Sequence, residues 1–162
     1  MRSDLQAIID TERLVGNFHA LKRCCQQGVR LCAPLKADAY GHGLAIVAPA
    51  LYDAGADFAA VATVIEALEL RRLCWDRPIL ILGNILSVAD ETERRDRLEA
   101  VVRHRLTLTL TDEETVSLLS RTKLREPIDV HLKLDSGMGR MGATPDGAIS
   151  LVQSIRSASS LR

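Results

Sequence analysis

Aromatic residues are scarce in this chain: one Trp, two Tyr and two Phe, 3% of 162 residues. That is too few to build the stacking platforms on which single-stranded nucleic acids lie. An excess of charge of either sign is also missing, with 21 Lys and Arg against 21 Asp and Glu. Without a basic arm or stripe, the composition excludes a nucleic-acid binder held by phosphate contacts. No apolar run approaches the ~18–20 residues that a membrane span requires. The opening "MRSDLQAIID" lacks the apolar centre of a secretion signal. The expectation is therefore a cytoplasmic protein with neither nucleic acid nor membrane as partner.

Cysteine is limited to Cys24, Cys25, Cys32 and Cys74, with no C-x-x-C pair. We read these as reduced thiols packed as small apolar groups. His19, His42, His104 and His131 are scattered without ligand spacing, so no metal is expected. Neither G-x-G-x-x-G nor G-x-x-x-x-G-K-[ST] occurs, which leaves a nucleotide site without support.

What is present is an ordinary globular mixture, 47% hydrophobic and 26% charged. A chain of this length buries roughly 70% of its unfolded surface in a single core. "DTERLVGNFHALKRCC" reads as a helix, with Asp10 as N-cap and Leu14, Phe18 and Leu21 at helical spacing. "VRLCAPLK" reads as a strand, although Pro34 argues against a central position. "LAIVAPALYDAG", with a kink at Pro49, reads as a helix and "DFAAVA" as a buried strand. Thr63 and Glu66 form a capping box for "TVIEALELRRL". "RPILILG" is the clearest strand, and a charged helix is expected from Ser87 to about His104. "LTLTLT" is the next strand, followed by a second capping box from Thr111 and Glu114. "IDVHLKLD" is the fifth, and Thr144 with Pro145 opens the last helix.

Strands and helices thus alternate at roughly 25-residue spacing, which implies a parallel sheet with helices outside it. The strands carry Val, Ile, Leu and Ala without strict alternation, as burial on both faces requires. Both a doubly wound sheet and a (β/α) barrel fit this pattern. No repeat, linker or low-complexity tract divides the chain, so one domain is expected.

In such folds chemistry gathers beyond the carboxyl ends of the strands. Two segments have that address: "LKADAYGHG", residues 35–43, and "HLKLDSGMGRMG", residues 131–142. A lysine at a barrel mouth can form a Schiff base with an aldehyde and, once freed, move protons. Both tasks need a neutral amine, which burial favours. Gly41 and Gly43 let backbone N–H groups approach an anion. His42 reads as a structural hydrogen-bonding residue. Arg140, between glycines, has little side-chain clutter beside it and can reach an anionic ligand. Lys36 and Lys133, both on expected strands, call for anionic partners.

These two segments resemble the motifs of the alanine racemase family, pyridoxal-phosphate enzymes with an N-terminal barrel and a C-terminal β-domain. "LKADAYGHG" is similar to the family's cofactor-lysine motif, and "HLKLDSGMGRMG" to its second motif. The opening "LQAIIDTERLVGNFHAL", with Asn17, is also similar to the family's start. The resemblance implies that Lys36 binds the cofactor covalently and is the base serving the D-enantiomer. It implies that Tyr40 binds the cofactor phosphate, and that Arg140 contacts both the cofactor's phenolic oxygen and the substrate carboxylate. Lys133 matches a lysine that is carbamylated in some members. Asp38 and Ser136 stand where asparagine and threonine are usual.

A complete barrel has eight strands and typically about 250 residues. The fold expected from the resemblance is a partial TIM-type α/β barrel with about five of eight βα units. Residues 1–162 would form the N-terminal part of the cofactor-binding barrel, without the C-terminal β-domain. The implied opposite-face base, a tyrosine of the partner subunit in a homodimer, would then lie outside these residues. So would most phosphate ligands. The implied activity is interconversion of L- and D-alanine, with serine and basic amino acids as substrate variants. The isolated chain is expected to be inactive. A barrel that binds pyridoxal phosphate without racemising anything is the alternative.

Overall fold

The computed structural model describes residues 6–162, and it is a five-stranded parallel sheet in the order β1-β2-β3-β4-β5 with helices between successive strands. The strands are β1 Cys32–Pro34, β2 Phe58–Val61, β3 Ile79–Ile81, β4 Leu106–Leu110 and β5 Val130–Leu132. Helix α1, Thr11–Cys24, precedes β1. The connections carry α2 Lys36–Gly41, α3 Leu44–Asp53, α4 Val64–Arg72, α5 Glu91–Arg103 and α6 Glu113–Arg121, and α7 Pro145–Ser157 follows β5. The sequence of one strand, one crossover and one neighbouring parallel strand is that of a partial α/β barrel of the TIM type. Beyond α7, the Arg162 N–H donates to Ile128 O and the Val130 N–H to Arg162 O, so the chain comes back alongside β5.

Two rows of side chains run across the sheet on the helix side. Ala33, Ala59, Ile79 and Leu106 form one; Val61, Ile81, Leu108 and Val130 form the next. All but Val130 are buried, and Ala59, Val61, Ile79 and Ile81 are completely so. Each fully buried isoleucine stabilises the fold by roughly 1.5–3 kcal/mol. The opposite face carries Pro34, Ala60, Leu80 and Thr107, then Thr109 and His131. β1 stands first in the strand order and carries Pro34. The Leu35 N–H donates to Ala60 O on β2, so the nitrogen of Pro34 faces away from β2 and that ladder loses no donor.

The helix starts follow the side chains expected of them in most places. Asp10 caps α1 by accepting the Arg13 N–H, Thr63 and Glu66 form the box at α4, and Thr144 accepts the Gly147 N–H with Pro145 first in α7. Two expectations are corrected. The charged helix begins at Glu91, not Ser87, because Asp90 is its cap and accepts the Glu93 N–H at 2.7 Å. Residues 85 and 86 sink into the core instead. At α6 the cap is Asp112 rather than Thr111, and the Thr111 hydroxyl donates to the Asp112 carboxylate. The cysteines also differ from expectation. All four are unpaired, but Cys24 and Cys74 are exposed and Cys25 and Cys32 only half-buried. Burial pushes the Cys32 thiol up to about 11.

The amino ends of the strands are tied together by Arg71. Its guanidinium donates to the carbonyls of Trp75, Arg77, His104 and Arg105, joining the end of α4 to the turn before β4. Arg77 does the same for Tyr52 and Ala56, with its guanidinium 3.9 Å from the Tyr52 ring centre. This end of the sheet is therefore held by structural contacts, and the carboxyl end is left for chemistry. Among the described residues no helix is long and apolar enough to cross a membrane, and no cluster of His, Cys, Asp and Glu could hold a metal ion.

Candidate active site at the strand ends

Lys36 does not lie on a strand. β1 ends at Pro34, Leu35 is buried beneath the helices, and Lys36 opens α2. The reason is in the backbone that follows. Ala37, Asp38, Ala39 and Tyr40 have φ of 53, 53, 52 and 57°, a left-handed turn built without a glycine in its centre. Each such residue costs roughly 1–2 kcal/mol. A run of four persists only because its surroundings hold it.

The holding contacts can be named. The Ala37 N–H, first in the turn, donates to Glu66 Oε1 at 2.7 Å. The Ala39 N–H donates to Leu35 O, and the His42 N–H to Ala39 O. His42 Nδ1 also lies 2.9 Å from Ala39 O, in the structural role expected of it. Asp38 closes the far side: its carbonyl accepts the Gly43 N–H, and its carboxylate accepts the Leu44 N–H that opens α3. Gly41 and Gly43, at φ of 79 and 88°, carry the chain out of the turn.

Lys36 is thereby presented at the carboxyl end of β1. It is half-buried, and among the described residues its amine has neither a hydrogen-bond acceptor nor a carboxylate partner. The amine stands 5.8 Å from the centre of the Tyr40 ring, within reach of a cation–π contact. Tyr40 is 57% exposed, so its phenol faces solvent. Beside it, a groove of about 620 Å³ runs between α1 and β1, with Asn17 and Tyr40 in its wall.

The second segment is a closed loop beyond β5. Lys133, like Lys36, falls just past its strand rather than on it. The Ala143 N–H donates to Lys133 O and the Asp135 N–H to Ala143 O, pinching residues 135–142 into a projecting loop. Asp135 Oδ1 accepts the N–H groups of Gly137 and Gly139 at 3.0 and 3.1 Å. The Gly139 and Gly137 amides, with smaller help from the Met138 amide and the positive charge of Lys133, outweigh desolvation and hold the Asp135 carboxyl below its ordinary value. Gly142, at φ 138°, has no room for a side chain. Arg140 is exposed at the loop's rim, without an acid partner among the described residues.

Both segments thus lie beyond the carboxyl ends of parallel strands, on β1 and β5. The Alanine racemase, N-terminal domain model matches residues 9–162. The chain belongs to that family. It is 37% identical over 158 residues to an alanine racemase of Treponema denticola, and 40% identical over 152 residues to one of Synechocystis sp.. These matches take in 96% and 91% of this chain but only 40% and 39% of the relatives. Among solved structures, the alanine racemase of E. faecalis superposes with a TM-score of 0.82 at 32% identity, over 95% of this chain and 40% of that one. The biosynthetic alanine racemase from Pseudomonas aeruginosa gives 0.76 at 35% identity, over 93% and 40%. The chain therefore spans about two fifths of the length of the relatives it matches.

Two contributors to this site were missed by sequence reasoning. Asp38 stood out only as a departure from the usual asparagine, yet it closes the turn and accepts the first N–H of α3. Glu66 looked like a helix cap alone. No residue pattern announces a left-handed turn over Ala37, Asp38, Ala39 and Tyr40, so neither had a signal.

Proposed function

We propose that this chain is the barrel portion of a pyridoxal-phosphate-dependent amino-acid racemase acting on alanine. The observation that carries the reading is Lys36: an amine with no partner among the described residues, half-buried at the mouth of a parallel sheet, at the head of a strained turn. The residues present fit the cofactor. An amine suits its aldehyde, and an exposed phenol and an exposed guanidinium suit its anionic oxygens. In a circle of eight strands, the first and fifth stand opposite one another. Lys36 and Arg140 would then face each other across the mouth.

When bound, pyridoxal phosphate supplies a conjugated sink for the electron pair left at Cα. The protein's part is to hold and to move protons. Lys36 Nζ would hold the cofactor, and its amine would be the group that takes or returns the Cα proton on one face. Tyr40 donates its O–H to the phosphate. Arg140 binds the substrate carboxylate and the cofactor's phenolic oxygen, fixing which bond at Cα is broken. Lys133, if carbamylated, would turn a cation into an anion facing Arg140. Racemisation needs a second base on the opposite face, and we assign no residue of this chain to it. A homodimer in which the partner supplies that base, in the cytoplasm, completes the reading.

The test is to mix the protein with pyridoxal phosphate, trap the product with borohydride, and map the labelled peptide. Label on Lys36 is expected. Label on another lysine, with Lys36 unmodified, would remove the assignment.

A further inference from the structure

Glu66 opens α4 as the third residue of its capping box, and one carboxylate oxygen is enough for that task. Oε2 performs it, accepting the N–H groups of Ala62 and Thr63 at 2.7 and 3.1 Å. The other oxygen reaches outside the helix. Oε1 accepts the Ala37 N–H at 2.7 Å, across 29 residues of sequence. We propose that Glu66 is a positioning residue for Lys36, acting through the peptide that joins Lys36 to Ala37. The inference rests on the functional reading above.

The mechanical argument is short. The Ala37 N–H belongs to the peptide plane that follows Lys36, so fixing it fixes ψ of Lys36. That ψ sets the direction in which the lysine side chain leaves the backbone. An extended lysine carries its amine ~6 Å from Cα, so a tilt of about 20° moves the amine by about 2 Å. Misplacement by about 1 Å is already enough to cost a reaction two orders of magnitude. Meanwhile Ala37 is the first of four left-handed residues and has no glycine's freedom to hold that shape unaided. The carboxylate is in turn anchored from below by two backbone donors, the Ala62 and Thr63 amides, neither of which depends on the Thr63 side chain. The end of β2 thereby sets the direction of a side chain at the end of β1.

A purely structural role predicts something different, namely that any lesion at the start of α4 acts in proportion to the stability it removes. The experiment compares Glu66→Gln with Thr63→Ala in the protein as its own gene expresses it. Thr63→Ala removes the other half of the capping box without touching Ala37. Two quantities are read beside thermal stability: amide hydrogen exchange of residues 37–40 in the cofactor-free protein, and the rate of borohydride-trappable linkage of pyridoxal phosphate to Lys36. Glu66→Gln is expected to speed exchange at Ala37 by about tenfold or more and to slow linkage by a similar factor. Thr63→Ala is expected to leave both within about twofold of wild type at a comparable fall in stability. Glu66→Asp keeps the charge at the helix end but is too short to reach Ala37, and it replaces Glu66→Gln if that variant does not fold. Equal effects from the Glu66 and Thr63 variants, with Lys36 labelled in the wild type, overturn this inference alone. A wild type that is never labelled at Lys36 overturns the functional reading and this inference with it.

Discussion

Gly142 rests directly against Leu134: a β-carbon at position 142 would stand 2.6 Å from the Leu134 carbonyl carbon. The same atom would lie 2.5 Å from the Asp135 amide nitrogen, and the backbone there has φ of 138°. Space and torsion both demand glycine. The contact is what lets the returning chain pair with Lys133 and Asp135, and so it supports the loop that carries Arg140. Replacing Gly142 by Ala forces backbone, not a flexible side chain, to give way. We expect Gly142→Ala to lower stability by about 3 kcal/mol, read from urea unfolding. A loss below about 0.5 kcal/mol would mean that the loop has another conformation of nearly equal energy.

The left-handed turn after Lys36 leads to a prediction with an unusual sign. Ala→Gly in an ordinary helix costs about 0.5–1 kcal/mol, and Ala45→Gly in α3 should do so. At Ala37, exposed and at φ 53°, glycine instead relieves a backbone strain of roughly 1–2 kcal/mol. Its greater freedom in the unfolded chain takes back roughly half of that. Ala37→Gly is therefore expected to stabilise the fold by up to about 1 kcal/mol, leaving the N–H on Glu66 in place. Ala37→Val should destabilise by more than about 1 kcal/mol, since a β-branched residue tolerates this region poorly. The paired unfolding midpoints of the three variants check the sign, and a destabilising Ala37→Gly would contradict a left-handed turn here.

These two positions also mark where sequence reasoning stopped. The alternation of five strands with helices was legible because it depends on composition and period. The two chemical segments stood out through Lys36 and Arg140 beside clustered glycines. What could not be read was the conformation of Ala37 to Tyr40. Alanine favours the right-handed helix, and the left-handed turn exists only because Glu66 and Asp38 hold it from two sides. Glu66 comes from a distant helix start, and although Asp38 is within "KADAYG", nothing there says that its carboxylate takes the Leu44 N–H. The cap of α6 failed for a milder reason. Thr111 and Asp112 are both good caps, and only the geometry chooses the acid.

Asp112 leads to the last prediction, one of pH dependence. Burial alone would raise its carboxyl, but the Thr115 amide at 2.8 Å, with the Thr115 and Thr111 hydroxyls and the Asn84 amide, outweighs it. The net effect holds Asp112 below its ordinary value. An unfolded chain therefore binds this proton more tightly than the folded one, and stability rises with pH through that interval. The contribution is complete above the unfolded value of about 3.9 and is lost as pH falls through it toward the lower folded value. Asp112→Asn retains a good N-cap and a similar shape but cannot titrate. The wild type should exceed Asp112→Asn by about 1 kcal/mol at neutral pH, the modest figure reflecting a carboxylate partly in water. That advantage should persist down to about pH 5 and shrink steadily below about pH 4. Paired unfolding curves across this range decide the matter. A gap that stays constant into strong acid would show that the proton is bound equally in both states, and that the hydrogen bonds gathered on Asp112 do no more than shape the start of α6.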